Sequence, residues 1–237
     1  MFSQGNGAES STGKPVNQPK APTPIFTGLN FSVPNGNYNP NYGSYKPENA
    51  IYMNHFGANN FAKEYATAYY RYTSGLHGST DFMLPSGTQI YSRTTGTVVG
   101  IDTGDANPNV VVRVNSPDMG IVNVVYGHIT ADQNLKLGST VTSDSLIGTV
   151  WSNPSGDHLH LTVYQDNKDG SKTAYNPLYL FPATTFDYDS HIATQSYYGE
   201  LATNQVMWKF NYSSSSFWNG DDVGAVDVNG NRVEPPK

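Results

Sequence analysis

Two short stretches, far apart in the chain, hold residue types that can do metal-assisted chemistry: His77-Gly78-Ser79-Thr80-Asp81 and His158-Leu159-His160. Alternate side chains of a β-strand point to one face, so on a strand His158 and His160 emerge side by side and can converge on one ion. His77 and Asp81 then supply the remaining ligands. Imidazole nitrogen and carboxylate oxygen suit Zn²⁺, and three protein ligands with an open fourth position mark a catalytic rather than a structural site. The 237 residues include no cysteine, so any metal has to sit on histidine and carboxylate. Thiolate zinc sites, iron–sulfur clusters, disulfides and cysteine nucleophiles are excluded.

The elements that must position these residues read as strands. After Asp81, short β-runs alternate with turn signals at 89–92, 96–101, 110–114, 122–126, 146–151 and 158–164. Nothing between them is long enough for helical crossovers, so the runs are expected to pair antiparallel in an all-β core that carries the site. Phe61, Tyr65, Tyr69 and Tyr72 recur at helical spacing behind Asn59-Asn60, which can cap. They predict a short amphipathic helix that delivers the chain to His77. Pro34, Gly36, Pro40, Gly43 and Pro47 break any regular element over 34–48, which reads as a long loop.

Three parts follow. Residues 1–24, rich in Gly, Ser, Asn, Gln and Pro, read as a flexible linker or tail that burial could not order. Residues 25–182 form the main domain, with its core at 75–180, and 183–237 are a C-terminal extension with scattered aromatics and a Ser run at 213–216. With 13 basic and 19 acidic residues the formal net charge is -6, and no Lys/Arg cluster stands out, so nucleic acid has no electrostatic footprint here. No apolar run approaches the ~18 residues of a membrane span. Met1 to Gly7 show neither a basic n-region nor an apolar h-region, and the expectation is that a signal is removed or that export takes another route.

The chain resembles the lysostaphin/LytM-type zinc endopeptidases that cut peptidoglycan cross-links. His77-x-x-x-Asp81 running into Phe82-Met83-Leu84-Pro85-Ser86-Gly87-Thr88 carries the resemblance, followed in order by Gly96-Thr97-Val98-Val99, Tyr126-Gly127-His128 and Gly156-Asp157-His158-Leu159-His160-Leu161. It covers roughly residues 75 to 180. An H-x-H pair alone is weak, whereas these blocks in one order and spacing are specific.

The resemblance implies an antiparallel β-sheet core with long loops walling an open groove for an extended peptide. It implies that His77, Asp81 and His160 bind Zn²⁺, and that His128 and His158 are catalytic. One imidazole would take and return a proton while the other hydrogen-bonds the developing oxyanion or orients the nucleophile; the sequence leaves open which does which. A tyrosine upstream of the first metal histidine can assist the oxyanion in this family. Tyr69, Tyr70 and Tyr72 are the candidates, each with aromatic packing as the plainer role. Four of the six histidines fall on the family's functional positions, leaving His55 and His191 as hydrogen-bonded or surface residues. Asp157 reads either as a hydrogen-bond partner to a ligating imidazole or as a turn carboxylate. Trp151, Asn153 and Pro154 are candidates for contacting the peptide, with core or turn roles equally open.

The expected function is therefore zinc-dependent hydrolysis of amide bonds in peptidoglycan, at the cell wall, with a peptidoglycan peptide as partner. One alternative is a virion or phage tail-tip component that carries this domain to the cell surface among other tail proteins; a secreted lysin is the non-viral version. The other is a latent enzyme whose groove is occluded by the Asn-rich stretch 35–41.

Overall fold

The computed structural model describes residues 22–32, 52–54, 56–58, 76–104, 107–153, 156–182 and 185, with the strand backbones at 207–212, 222–226 and 232–233. The predicted loop at 34–48, the helix at 61–72, the stretch 35–41 and residues His55, Tyr69, Tyr70, Tyr72, Pro154 and His191 lie outside the described residues.

In chain order the strands are β1 (Tyr52–Asn54), β2 (Gly57–Ala58), β3 (Leu76–His77), β4 (Thr80–Met83), β5 (Gln89–Tyr91), β6 (Gly96–Asp102), β7 (Asn109–Ser116) and β8 (Gly120–Gly127). They continue as β9 (Ile129–Ala131), β10 (Thr140–Val141), β11 (Leu146–Val150), β12 (His158–Asp166), β13 (Lys172–Tyr175), β14 (Met207–Tyr212), β15 (Asp222–Val226) and β16 (Arg232–Val233). All six predicted β-runs are strands, and one 3-10 turn at Pro177–Leu180 is the only helical element among the described residues.

Every strand pairing among the described residues is antiparallel. The main sheet runs β10-β6-β7-β8-β12-β13-β14-β15-β16. Strand β12 has β8 along one edge; along the other its first half pairs with β4 and its second half with β13. The C-terminal strands β14, β15 and β16 thus extend the sheet that holds the site. The strands β5-β11-β9 are hydrogen-bonded into a second, small sheet.

The core follows from period-two alternation. Val110, Val112 and Val114 of β7, Val122, Val124 and Tyr126 of β8, and Leu159, Leu161 and Val163 of β12 are all buried. They form one apolar cluster with Ile90 of β5, Ile147 and Val150 of β11, and Ile129 of β9. The core therefore joins the main sheet to the small one, and His158 and His160, the alternate positions on β12, lie on the main sheet's opposite face. Residues 22–32 strap onto this body. Phe26 stacks on Phe181 with ring centroids 4.7 Å apart, and Asn30 Nδ2 donates to the carbonyls of Tyr91 and Ser92.

Candidate active site

Strand register brings the distant motifs together. His160 pairs with Asp81 across β12 and β4, and with Gly127 across β12 and β8. His77 ends β3, which pairs with β2. His160 Nδ1 lies 2.6 Å from Asp81 Oδ1, His158 Nε2 lies 3.8 Å from the same oxygen, and His77 Nε2 lies 3.4 Å from Asp81 Oδ2. His77, Asp81, His158 and His160 are all buried, and His128 is partly exposed. Burial opposes ionisation of Asp81, but His77, His160 and His158 around it, together with the His160 hydrogen bond, hold its carboxyl well below the usual carboxylate range.

His128 enters the site from a corner. It is the single residue between β8 of the main sheet and β9 of the small one, and its φ is +56°. This left-handed conformation is uncommon for a residue with a side chain and lets the chain cross from one sheet to the other. The Trp151 N–H donates to the His128 carbonyl at 2.8 Å and pins the corner. The His128 ring meets His158 edge-on at a centroid distance of 4.5 Å and His160 at 5.6 Å. Burial, followed by the neighbouring His158 and His160, pushes the His128 pKa down to about 2, so its imidazole is neutral. Its Nδ1 is buried with no hydrogen-bond partner among the described residues.

Two overlapping sets of donors can each hold a metal ion: His77, Asp81 and His160, and His128, His158 and His160. Within each set the donor atoms lie within 4.8 Å of one another. The residues fit a divalent ion, because imidazole nitrogens and an ionised buried carboxylate converge with no lysine or arginine among them. All five candidate site residues read from the sequence thus meet at one place.

The structure also assigns work to residues that the sequence reading passed over or left open. Ser79 Oγ lies 2.6 Å from His160 Nε2, and Thr162 Oγ1 donates to Ser79 Oγ at 2.9 Å. Alternation could have found Thr162, which shares a face with His160 two positions away. Asp157 bonds no imidazole among the described residues: its Oδ1 accepts from Asn153 N–H at 2.9 Å and its Oδ2 from Ser86 N–H at 3.1 Å, so it ties the loop before β12 to the turn after β4. Trp151 and Asn153 are half-buried in that loop.

Residues 75–177 match the family model described as Peptidase family M23. This stretch is an M23 peptidase domain. The metal-competent cluster lies wholly within the matched residues, and the match is to a family of metallopeptidases. Among solved structures, a point mutant of the catalytic domain of the prophage-encoded M23 protein EnpA from Enterococcus faecalis is 20% identical with a TM-score of 0.40. The match covers 59% of this chain and 95% of that one. The catalytic domain of the antimicrobial peptidase lysostaphin from Staphylococcus simulans is 21% identical with a TM-score of 0.37, over 60% of this chain and 90% of that one. A zinc-containing peptidase from Vibrio cholerae is 24% identical with a TM-score of 0.37; the match takes in 51% of this chain and only 36% of that one. No curated protein matches the chain by sequence. No helix among the described residues is long and apolar enough to cross a membrane.

Proposed function

We propose that this M23 chain is a zinc-dependent endopeptidase that hydrolyses amide bonds in the cross-linking peptides of bacterial peptidoglycan, acting outside the cell at the cell wall. The observation that carries this reading is the convergence of Asp81 with four imidazoles on one face of the main sheet. The family match and the run of lysostaphin/LytM-like blocks support peptidoglycan as the substrate.

His77, Asp81 and His160 would hold the ion. Their set is wholly buried and contains the carboxylate, and a dication out of water calls for a compensating negative charge. When bound, the ion polarises the scissile carbonyl and lowers the pKa of the attacking water toward ~7. His158 is placed to move the proton. The Gly156 carbonyl accepts from its Nδ1–H at 2.7 Å, so Nε2, facing Asp81, is the nitrogen left to accept a proton. Nε2 takes a proton from the attacking water and returns it to the leaving amine. His128, neutral and packed against His158, donates an N–H to the carbonyl oxygen as negative charge develops there. Trp151 and Asn153, in the loop that Asp157 ties down, wall the path of the peptide.

The test is digestion of purified cell walls of differing cross-link chemistry, with fragments identified by mass spectrometry, in the presence and absence of a zinc chelator. Chelator-sensitive cleavage at one peptide bond is expected. Folded, zinc-loaded protein that cleaves no wall would contradict the proposal.

A further inference from the structure

Behind His160 stands a pair of hydroxyls that peptide hydrolysis does not use. Ser79 Oγ lies 2.6 Å from His160 Nε2, and Thr162 Oγ1 donates to Ser79 Oγ at 2.9 Å. The two residues are 1% and 0% exposed, so water is excluded from this side of the ring. On the opposite edge, His160 Nδ1 is 2.6 Å from Asp81 Oδ1. One buried imidazole thus has both nitrogens engaged, by groups of different hydrogen-bonding capacity.

An ionised carboxylate can only accept. In the metal-free chain the proton of the neutral His160 ring therefore sits on Nδ1 and is donated to Asp81. Nε2 then accepts from the Ser79 hydroxyl, which accepts in turn from Thr162. The run Thr162, Ser79, His160, Asp81 has one donor and one acceptor at every link. An ion shared by Asp81 and His160 requires the reverse, because it needs the lone pair of the nitrogen that faces Asp81. The ring proton must then be on Nε2, where it meets Ser79 Oγ. A hydroxyl can donate in one state and accept in the other by turning about its C–O bond; a methyl group can do neither.

We infer that Ser79, backed by Thr162, is a positioning residue of the metal centre: its hydroxyl reverses its hydrogen bond so that His160 exchanges one tautomer for the other as the ion binds. One N–H bond is lost at Nδ1 and one is formed at Nε2, so the ring's proton count is unchanged. Ser79 keeps its own proton and turns it off Nε2, and its oxygen then accepts from both the His160 Nε2–H and the Thr162 hydroxyl. The inference rests on the assignment of His77, Asp81 and His160 as the metal ligands.

The experiment measures Zn²⁺ affinity by chelator competition for the full chain and for Ser79→Ala, Thr162→Val and Thr162→Ser. Long-range ¹H–¹⁵N correlation of the histidine rings is recorded with and without zinc. Metal-ligating histidines typically lose 10–100-fold in metal affinity with their outer partner, so Ser79→Ala is expected to bind zinc at least about 10-fold more weakly. Thr162→Val should show a smaller loss, and Thr162→Ser, which keeps the hydroxyl, none. The His160 ring proton should sit on Nδ1 without zinc and on Nε2 with it. An affinity for Ser79→Ala within about twofold of the parent, or a ring proton on the same nitrogen in both states, would overturn the relay. If Ser79→Ala does not fold, the contrast between Thr162→Val and Thr162→Ser decides, since valine keeps the shape of threonine. A parent chain that binds no zinc would instead overturn the metal assignment itself.

Discussion

Gly127 and His160 are cross-strand partners on β8 and β12, and a β-carbon on Gly127 would stand 3.2 Å from His160 Cβ and 3.4 Å from its Cδ2. The bare backbone at Gly127 is the floor on which the His160 ring lies. Gly127→Ala would also place the new carbon 3.1 Å from the His160 carbonyl oxygen, so ring and strand must give by a few tenths of an ångström. The fold should survive, while a misplacement on that scale at a reacting centre lowers kcat by about 10-fold. Gly148→Ala is the contrast. Its β-carbon would come within 2.2 Å of the Thr130 carbonyl oxygen, and the β9–β11 pairing should fail, seen as a large drop in melting temperature.

The corner at His128 separates backbone from side-chain effects. A non-glycine residue held in the left-handed region costs about 1–3 kcal/mol, which His128→Gly relieves and His128→Val, being β-branched, worsens. Glycine at this position should melt close to the parent and valine well below it. Both should lose turnover, by about 10²–10³-fold for the loss of an oxyanion donor. Full turnover in His128→Gly would remove His128 from the mechanism.

Ligands and proton carriers should part company. His77→Ala, Asp81→Ala and His160→Ala are expected to lose bound zinc and activity together, whereas His158→Ala and His128→Ala keep most of the zinc and lose activity. Zinc content by elemental analysis beside kcat on a model peptide checks this. Loss of zinc in His158→Ala but not in His77→Ala would assign the ion to the His128, His158 and His160 set instead.

Asp157 acts on the loop and not on the chemistry. Its two carboxylate oxygens hold the backbone N–H groups of Asn153 and Ser86, on opposite sides of the entrance to β12. Asp157→Ala removes both ties and loosens the loop at Asn153, so KM should rise while kcat on a small substrate stays near that of the parent. Asp157→Asn keeps an acceptor for one of the two bonds and should fall between.

The parts of this molecule written locally were legible in its sequence. The alternation His158-Leu159-His160-Leu161 placed two imidazoles on one face and two leucines in the core, as the register with β4 and β8 shows. β4 escaped notice because Thr80–Met83 is buried at every position, so the chain carries no polar/apolar alternation there. β10, with two residues, is too short to show a period. The partners of Asp157 were out of reach for another reason: Ser86 lies far off in sequence and is brought near only by β4 pairing with β12. The left-handed turn at His128 was hidden too, because it arises from the jump between two sheets. The C-terminal strands β14–β16 extend the main sheet in a region where sequence showed only scattered aromatics.

The central claim is the place of the ion, and anomalous diffraction at the zinc edge from crystals of the zinc-loaded chain tests it most directly. A single peak bounded by His77, Asp81 and His160, with His128 and His158 beside it but not bonded to it, is the predicted result. A peak among His128, His158 and His160, away from His77 and Asp81, or no peak in protein that cleaves peptide, would contradict the account.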